Sequence, residues 1–376
     1  MNGCFTDEEK KRYHRHFTLP QVGQEGQKKL KSAKVLCIGA GGLGSCLLLN
    51  LAAAGVGTIG IIDPDIVELS NLQRQILYTT EDIGLSKVHA AKARLMALNP
   101  NIQIIAHEDR LTRQNMLMFL KDYDIIADGT DNFSARYGIN DACYFLNKPN
   151  VHASIFQFEG QCTIFTAEGG PCYRCLYAEP PPPAMIPSCA EGGVLGILPN
   201  LMGTLQAAEI IKWILDIGEP LAGRLLKVDV LSLQFQELQL RKNPDCRLCG
   251  KSEPLEAFSE DAPSCVSTPD RITQKALRQL TASGKHFILL DVREPQEYEQ
   301  CNLGGRLIPL HTLPEQCQTL DKNQHYVIHC HSGIRSLQAV QYLKAAGFPH
   351  VQSLDGGIAA WRFDEPDENK FTEKNA

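Results

Sequence analysis

Glycines followed by an acidic residue could form a nucleotide site. Gly39, Gly41, Gly42 and Gly44 lie in a Gly-Ala-Gly-Gly-Leu-Gly segment that follows an apolar run and precedes a helical one. Glycines let backbone N–H groups approach a phosphate, and the positive end of the following helix attracts it. Asp63 ends the next apolar run, at the spacing typical of a carboxylate that binds a ribose. The segment predicts a nucleotide site, although tight packing of a strand on a helix would need the same glycines.

Cations and an acidic turn follow this segment and favour ATP over a dinucleotide. Arg74 and Lys87 lie close in sequence to the predicted pocket, and two cations suit a triphosphate better than a nicotinamide. Asp131 comes just past the end of a later strand, where α/β sheets bind ligands, and could hold a magnesium ion that bridges the phosphates. The same segments add three polar residues to the predicted nucleotide-binding set: Asp65, Asn71 and Asn132.

Two C-x-x-C pairs could hold a metal ion. Cys172 and Cys175 form one pair, and Cys246 and Cys249 form the other. Four thiolates suit a tetrahedral, structural zinc ion with no open coordination position. The long interval between the pairs is unusual for a zinc finger, so two unconnected pairs or redox-active motifs are the alternatives.

Two further cysteines are candidate nucleophiles. Cys330 begins the segment Cys-His-Ser-Gly-Ile-Arg, which follows an apolar run, ends at Arg335 and opens a helix. Backbone N–H groups at such a turn stabilise a thiolate, Arg335 would add positive charge, and a loop this short suits a small anion such as a cysteine persulfide. Cys189 follows four prolines and lies among glycine and proline, which predicts a mobile loop. It is either part of the chemistry or a bystander thiol.

Alternating strands and helices must position these residues. Apolar runs at 34–39, 58–63, 102–106 and 124–128, with helical segments between them, predict a doubly wound, mainly parallel sheet. Strands at 151–156 and 161–166 follow, with Glu159-Gly160 as the turn; a helix at 203–215 and a two-stranded unit at 223–240 come next. A smaller α/β unit has predicted strands at 287–291, 325–329 and 350–354.

Composition narrows the class of protein. The chain has 376 residues, which favours two domains, and its net charge of −6 argues against broad binding to nucleic acid or to a membrane surface. The most apolar stretch, residues 43–62, is interrupted by polar residues and glycines and predicts no membrane span. The charged N-terminus predicts no signal peptide. Without one, the 14 cysteines indicate metal binding or thiol chemistry in a cytoplasmic protein.

The nucleotide-site segments together resemble the MoeB/ThiF family of adenylating enzymes, relatives of the ubiquitin-activating enzymes. The matching segments are IGAGGLGS, LSNLQRQ, GLSKV and DGTDNF, and the resemblance covers about residues 5–250. It implies that ATP adenylates the C-terminal Gly-Gly carboxylate of a small ubiquitin-like sulfur-carrier protein, and it implies the structural zinc site. Arg15 lies in a segment similar to the family's N-terminal arm, whose arginine reaches the partner subunit's ATP, so it implies a homodimer; otherwise Arg15 is an ordinary surface charge. The resemblance also implies that Cys189 joins the carrier covalently or resolves a persulfide.

The last quarter of the chain resembles rhodanese domains. Residues 290–295, Leu-Asp-Val-Arg-Glu-Pro, and residues 354–358, Leu-Asp-Gly-Gly-Ile, match the family's segments on either side of the Cys330 loop. Residues 301–303 depart from the Gly-His-Ile that rhodaneses often have there. The resemblance implies a Cys330 persulfide, loaded by thiosulfate or a cysteine desulfurase. The predicted organisation is an adenylyltransferase domain at 1–250, a linker at 251–267 and a rhodanese-like domain at 268–376.

The two halves together predict one reaction sequence. The first would form a carrier acyl-adenylate, and the persulfide of the second would replace AMP, so that the carrier ends as a thiocarboxylate. Three alternatives remain: a dinucleotide-dependent oxidoreductase, a ubiquitin-like modifier-activating enzyme that passes its carrier as a Cys189 thioester, and a non-catalytic scaffold with an inactive rhodanese fold. The sequence leaves open whether the carrier serves molybdopterin, thiamine, tRNA thiolation or another pathway.

Overall fold

The computed structural model describes residues 5–178, 193–250 and 270–361, which belong to two compact units. The described residues up to 250 form the first unit, and those from 270 onward form the second. Both are α/β units, which confirms the predicted fold class. Cys189 and the predicted linker at 251–267 lie outside the described residues.

The first unit is built on an eight-stranded sheet with the order β3-β2-β1-β4-β5-β6-β7-β8. The strands from β3 to β5 are parallel, and the pairs β5–β6, β6–β7 and β7–β8 are antiparallel. The strands are β1 (Lys34–Ile38), β2 (Thr58–Ile62), β3 (Gln103–His107), β4 (Ile125–Asp128), β5 (Asn150–Phe156), β6 (Glu159–Phe165), β7 (Arg224–Asp229) and β8 (Gln234–Gln239).

Helices cover both faces of this sheet, as a doubly wound fold requires. Their bounds are α1 (Asp7–Arg12), α2 (His14–Phe17), α3 (Gly23–Ser32), α4 (Gly42–Ala54), α5 (Lys87–Leu98), α6 (Arg113–Leu120), α7 (Phe133–Phe145), α8 (Tyr173–Leu176) and α9 (Ile197–Leu215), with short 3-10 turns at Leu69–Asn71 and Thr80–Asp82. Along β1, Val35 and Cys37 pack with α4, α5 and α9, whereas Leu36 and Ile38 pack with α6 and α7. Because both faces are buried, the strand is apolar after its exposed first residue, Lys34.

Helix α9 begins at Ile197, six residues before the predicted start. Its first turn contains Pro199. A proline in the first turn is tolerated, since the N–H groups there have no partner within the helix. Gly203 serves packing: a Cβ on it would lie 2.2 Å from the carbonyl oxygen of Leu43. The glycine lets α9 cross α4 at close range.

The predicted turn at Glu159-Gly160 is wrong. The turn of the β5–β6 hairpin lies two residues earlier, at Gln157 and Phe158, because Glu159 already pairs with Phe156. Gln157 takes the left-handed conformation, with a φ of 52°. Gly160 is needed for another reason, because a Cβ there would lie 2.5 Å from the side chain of Met202 on α9.

The second unit has a five-stranded parallel sheet with the order β11-β10-β12-β13-β9. The strands are β9 (Arg271–Ile272), β10 (Ile288–Asp291), β11 (Arg306–Leu307), β12 (Tyr326–His329) and β13 (Val351–Leu354); the helices are α10 (Gln274–Ala282), α11 (Pro295–Gln300), α12 (Leu313–Gln316) and α13 (Ile334–Ala345), with 3-10 turns at Leu310–Thr312, Cys317–Thr319 and Ile358–Ala360. The three central strands were predicted. Strands β9 and β11 have two residues each, too few for a recognisable pattern.

Across the described ranges, no helix has both the length and the apolar character needed to cross a membrane.

Candidate active sites

Strand pairing brings the predicted nucleotide residues to one edge of the first sheet. Ile38 at the end of β1 is in register with Ile62 of β2 on one side and with Asp128 of β4 on the other. The glycine loop, Asp63 and the turn after Asp128 therefore leave the sheet side by side. This is the edge at which parallel α/β sheets bind ligands.

The glycine loop between β1 and α4 is tight for reasons that differ from residue to residue. Gly39 has a φ of +90°, which favours glycine. A Cβ on Gly44 would lie 2.2 Å from the carbonyl oxygen of Gly39, and one on Gly42 would lie 2.9 Å from Pro199. At Gly41 the nearest neighbour would be Gln75 at 3.8 Å, an ordinary contact. Packing thus explains the glycines at 42 and 44, and the loop stays free of side chains at Gly41, where a phosphate would approach.

Asp63 is held against the glycine loop. Its Oδ2 accepts the N–H of Ala40 at 2.8 Å, and its Oδ1 accepts the N–H of Asp65 at 2.9 Å. Burial raises the pKa of Asp63 above its ordinary value. Lys87 is buried, and its Nζ lies 3.0 Å from Oδ2 of Asp65. The predicted cation is therefore paired with an acidic residue of the segment that follows β2. This part of the site combines an oriented carboxylate with a positive charge.

The segment after β2 brings further polar groups to the glycine loop. Asn71 is buried and its Oδ1 accepts the N–H of Glu68 at 3.2 Å. Arg74 donates to the carbonyl of Ser70 at 3.0 Å, and its Cγ would lie 3.6 Å from a Cβ on Gly42. Gln75, to which the sequence assigned no role, is buried beside Gly41, and its Oε1 has no hydrogen-bond partner among the described residues.

The turn after β4 packs directly on the glycine loop. A Cβ on Gly39 would lie 3.1 Å from the carbonyl oxygen of Gly129. Oδ1 of Asp128 shapes the turn by accepting the N–H of Thr130 at 3.0 Å and its hydroxyl at 2.7 Å. Asp131 is exposed at this edge, and Asn132 caps α7 by accepting the N–H of Ala135 at 2.9 Å. The side-chain oxygen of Asn132 is therefore used within the protein.

Arg15 lies at the end of α4 that is remote from the glycine loop. The ring of Tyr13 packs on Gly55, where α4 ends, and its hydroxyl accepts a hydrogen bond from Asn99 at 2.8 Å. Helix α4 has 13 residues, so about 20 Å separates its two ends. Arg15 on α2 is exposed. Its position places it away from the nucleotide edge of its own chain.

The four paired cysteines converge on one point. Sγ of Cys172 lies 3.9 Å from that of Cys175 and 3.6 Å from that of Cys246, and Sγ of Cys175 lies 3.2 Å from that of Cys249. All four sulfurs lie within 4.8 Å of one another. A zinc ion with Zn–S bonds of about 2.3 Å places its tetrahedral ligands about 3.8 Å apart. The cluster fits zinc, and the interpretation as two unconnected pairs is wrong.

The Cys330 loop surrounds a buried sulfur with hydrogen-bond donors. Sγ of Cys330 accepts the N–H of Gly333 at 3.1 Å and the hydroxyl of Ser336 at 3.6 Å. Gly333 has a φ of +92°, the left-handed conformation that turns its N–H toward the sulfur side of the loop. Gly357 packs closely against the loop, and a Cβ there would lie 2.5 Å from the carbonyl oxygens of Cys330 and His331. This arrangement favours a thiolate or a persulfide anion.

Arg335 makes an ion pair that the sequence did not predict. Its two terminal nitrogens donate to the two carboxylate oxygens of Glu297 at 2.7 and 2.8 Å. These hydrogen bonds lower the pKa of Glu297 to about 2. Glu297 lies 38 residues before Arg335, so no local spacing could have paired them. The positive charge predicted for the thiolate is thus shared with a carboxylate, while Gly333 and Ser336 donate to the sulfur.

Comparison with known proteins assigns both units. Residues 13–248 match the ThiF family, and residues 273–364 match the rhodanese-like domain. The chain belongs to the ThiF family. It is also 44% identical over 365 residues, 94% of this chain and 93% of the relative, to the probable adenylyltransferase/sulfurtransferase MoeZ of Mycobacterium tuberculosis. The sulfur carrier protein adenylyltransferase of Thermus thermophilus is 52% identical over 251 residues, 65% of this chain and 93% of the relative.

A solved structure supports the fold of the ThiF unit. The crystal structure of Escherichia coli MccB with ATP has a TM-score of 0.56 and 25% identity, and the match covers 63% of this chain and 74% of that chain. The predicted resemblance, a ThiF-family adenylyltransferase followed by a rhodanese domain, is confirmed. The individual roles predicted for the site residues stay predictions.

Polar residues under the loops were not predicted. Asp128 forms a buried pair with His152, whose Nδ1 lies 2.9 Å from its Oδ2. In the second unit Arg293 donates to both oxygens of Asp291, and His329 lies beside them with its Nε2 3.6 Å from Oδ2 of Asp291. Asp128, Asp291 and His329 end strands, and the sequence shows no spacing that links Asp128 to His152 or Asp291 to His329.

Burial of His329 makes the stability of the second unit depend on pH. Burial lowers its pKa to about 4, against a carboxylate that favours the charged ring, and the unfolded value is about 6.5. Below about pH 6.5 His329 binds a proton in the unfolded chain, whereas in the folded unit it stays neutral until the pH approaches about 4. We therefore expect the unit to lose on the order of 3 kcal/mol as the pH falls from about 6.5 to about 4.

The measurement is urea unfolding of the full chain in a Trp213→Phe background, in which Trp361 fluorescence reports on the second unit. His329→Leu should flatten the dependence over this pH range, and His350→Gln, at an exposed position, should not. Equal slopes for His329→Leu and the unsubstituted background would contradict this assignment.

Proposed function

We propose that the protein activates the C-terminal carboxylate of a small ubiquitin-like sulfur-carrier protein with ATP and converts it to a thiocarboxylate with sulfur held on Cys330. One observation carries this proposal. A ThiF-type nucleotide edge and a rhodanese-type cysteine loop occur in one chain, which aligns over nearly its whole length with a relative named adenylyltransferase/sulfurtransferase.

The first step joins the carrier to AMP. A carboxylate oxygen of the carrier's last glycine attacks the α-phosphorus, and pyrophosphate leaves. Backbone N–H groups at Gly41 and the start of α4 would bind phosphate, Asp63 would bind the ribose, and Arg74 and Lys87 would balance the charge that develops. Asp131, exposed at this edge, would hold Mg²⁺, which would supply positive charge to the phosphates. The carrier is already ionised, so the step needs no general base.

The second step exchanges oxygen for sulfur. The outer sulfur of a Cys330 persulfide attacks the acyl carbon, AMP leaves, and the carrier is joined to Cys330 through an acyl disulfide. A second thiol then attacks Sγ of Cys330, which forms a protein disulfide and releases the carrier thiocarboxylate. Cys189 is our candidate for that thiol. A cytoplasmic reductant would regenerate both thiols, and thiosulfate or a cysteine desulfurase would reload Cys330.

A homodimer explains the position of Arg15. About 20 Å, the length of α4, separates the arm that carries Arg15 from the glycine loop of the same chain. A two-fold symmetric dimer would bring this arm to the partner's nucleotide, where its guanidinium would neutralise phosphate charge. Each active site would then need residues of both subunits.

Cys330→Ala should separate the two steps. We expect it to leave carrier-dependent release of pyrophosphate unchanged, since that reaction uses the other unit, and to abolish thiocarboxylate formation with ATP, Mg²⁺ and thiosulfate. Mass spectrometry of the carrier would detect the replacement of one oxygen by sulfur. Cys317→Ala, in the same unit, is the matched control. A Cys330→Ala protein that still forms the thiocarboxylate would rule out this role for Cys330.

Mixed dimers should reveal whether Arg15 acts across the interface. Arg15→Ala and Lys87→Ala chains with different tags would be co-expressed and the mixed dimer purified through both tags. If Arg15 serves the partner's site, one site per mixed dimer is intact, and about half of the wild-type rate of pyrophosphate release should return. Each variant alone should remain inactive. No recovery in the mixed dimer would place Arg15 in its own chain's site, and an active Arg15→Ala homodimer would place it outside the mechanism.

A further inference from the structure

Tyr173 is buried between two cysteines of the metal cluster and reaches toward the nucleotide edge. It follows Cys172 and starts helix α8, and 1% of its surface is exposed. Its ring packs edge-on against His152, with 5.3 Å between the ring centroids. Its hydroxyl interacts electrostatically with the guanidinium of Arg136, which opposes the rise in the pKa of Tyr173 that burial causes. A single side chain therefore leads from the cluster to two polar residues of the nucleotide unit.

Through His152, Tyr173 is linked to the turn that carries Asp131. Nδ1 of His152 lies 2.9 Å from Oδ2 of Asp128, and both side chains are almost fully buried. Burial lowers the pKa of His152, and the hydrogen bond from His152 overcomes burial to lower the pKa of Asp128. A neutral imidazole thus donates to a carboxylate. The other oxygen of Asp128 holds the N–H and the hydroxyl of Thr130.

Arg136 contacts the same turn, through the carbonyl oxygen of Thr130. Nε and Nη2 of Arg136 donate to the carbonyl oxygen of Thr130 at 3.2 and 2.9 Å. Thr130 is therefore held at its N–H and hydroxyl by Asp128, the partner of His152, and at its carbonyl by Arg136. The next residue in the chain is the exposed Asp131.

Helix α7 ties the cluster end of this network in place. The backbone N–H of Tyr173 donates to Asn140 at 2.8 Å, and Arg174 donates to both oxygens of Asp141 at 2.8 and 2.6 Å. Asn140, Asp141 and Arg136 all lie on α7, which begins at the turn itself with Asn132 as its cap. The position of Tyr173 is thus fixed both by the metal ligands that flank it and by the helix that leaves the nucleotide edge.

We infer that Tyr173, Arg136 and His152 are positioning residues for the nucleotide turn, and that the four-cysteine cluster anchors Tyr173 for this purpose. This inference rests on the proposed ATP site. An exposed magnesium ligand on a surface turn must be held to within a fraction of an ångström of its working position, which a second layer of buried hydrogen bonds achieves. The cluster would then support the chemistry from a distance without contacting the substrate.

Tyr173→Phe tests this coupling in the full-length protein. It removes the hydroxyl arm and keeps the ring, so we expect an unchanged zinc content of one ion per chain. The affinity for ATP with Mg²⁺, measured by titration calorimetry, should fall several-fold, because Arg136 loses an interaction that helps to hold it on Thr130. In pyrophosphate release the KM for ATP should rise while the KM for the carrier stays constant. The matched control is Tyr177→Phe, whose hydroxyl donates to Gln161 in the same aromatic cluster.

Removal of zinc completes the test. Stripping zinc from the wild-type protein with a chelator should weaken ATP binding more than Tyr173→Phe does, because it frees the ring as well as the hydroxyl. Stripping zinc from Tyr173→Phe should weaken binding less than it does in the wild type, because one of the two links is already lost. If Tyr173→Phe does not fold, His152→Asn, which retains an N–H donor, should bind ATP more tightly than His152→Leu. Wild-type ATP affinity in both Tyr173→Phe and the zinc-stripped protein would overturn the inference. A wild-type protein that binds no ATP would instead overturn the proposed function.

Discussion

The close contact between the glycine loop and the turn after β4 is the constraint on which the nucleotide site depends. Gly39 and Gly129 approach so closely that a Cβ on Gly39 would lie 3.1 Å from the carbonyl of Gly129. Parallel pairing of β1 with β2 and β4 brings these loops to one edge. The roles proposed above, phosphate binding by the backbone, ribose binding by Asp63 and metal binding by Asp131, would all require that this contact hold its geometry.

The second unit also holds its functional group in a tight loop, but the donors that contact Cys330 are neutral groups. Cys330 is buried, and its sulfur accepts hydrogen bonds from a backbone N–H and a hydroxyl, while Arg335 is engaged by Glu297. Neutral donors stabilise a sulfur anion without fixing a full positive charge against it, so the sulfur remains a nucleophile toward an acyl group. This balance suits a persulfide whose outer sulfur must pass to the carrier.

Much of the fold and of the sites could be predicted from local sequence, because the residues of one loop or one strand are consecutive in the chain and their spacing is visible there. The glycine loop, Asp63, the C-x-x-C pairs and Cys330 belong to this class, and the convergence of the four cysteines followed from what four thiolates favour. Residues such as Glu297, His152 and Gln75 could not be predicted, since their partners are distant in the chain and only the tertiary fold joins them. Gly160 was misjudged for the same reason: its requirement comes from Met202 on α9, not from a turn.

The central claim is that sulfur on Cys330 passes to a carrier that the same protein has activated. A single-turnover transfer tests it most directly. The protein would be loaded with radioactive sulfur from thiosulfate labelled in its outer sulfur, freed of excess donor, and mixed with a Gly-Gly-ended carrier. With ATP and Mg²⁺ the label should move to the carrier thiocarboxylate, and without ATP it should stay on the enzyme. Label that stays on the protein while ATP is cleaved, or that moves without ATP, would contradict this account.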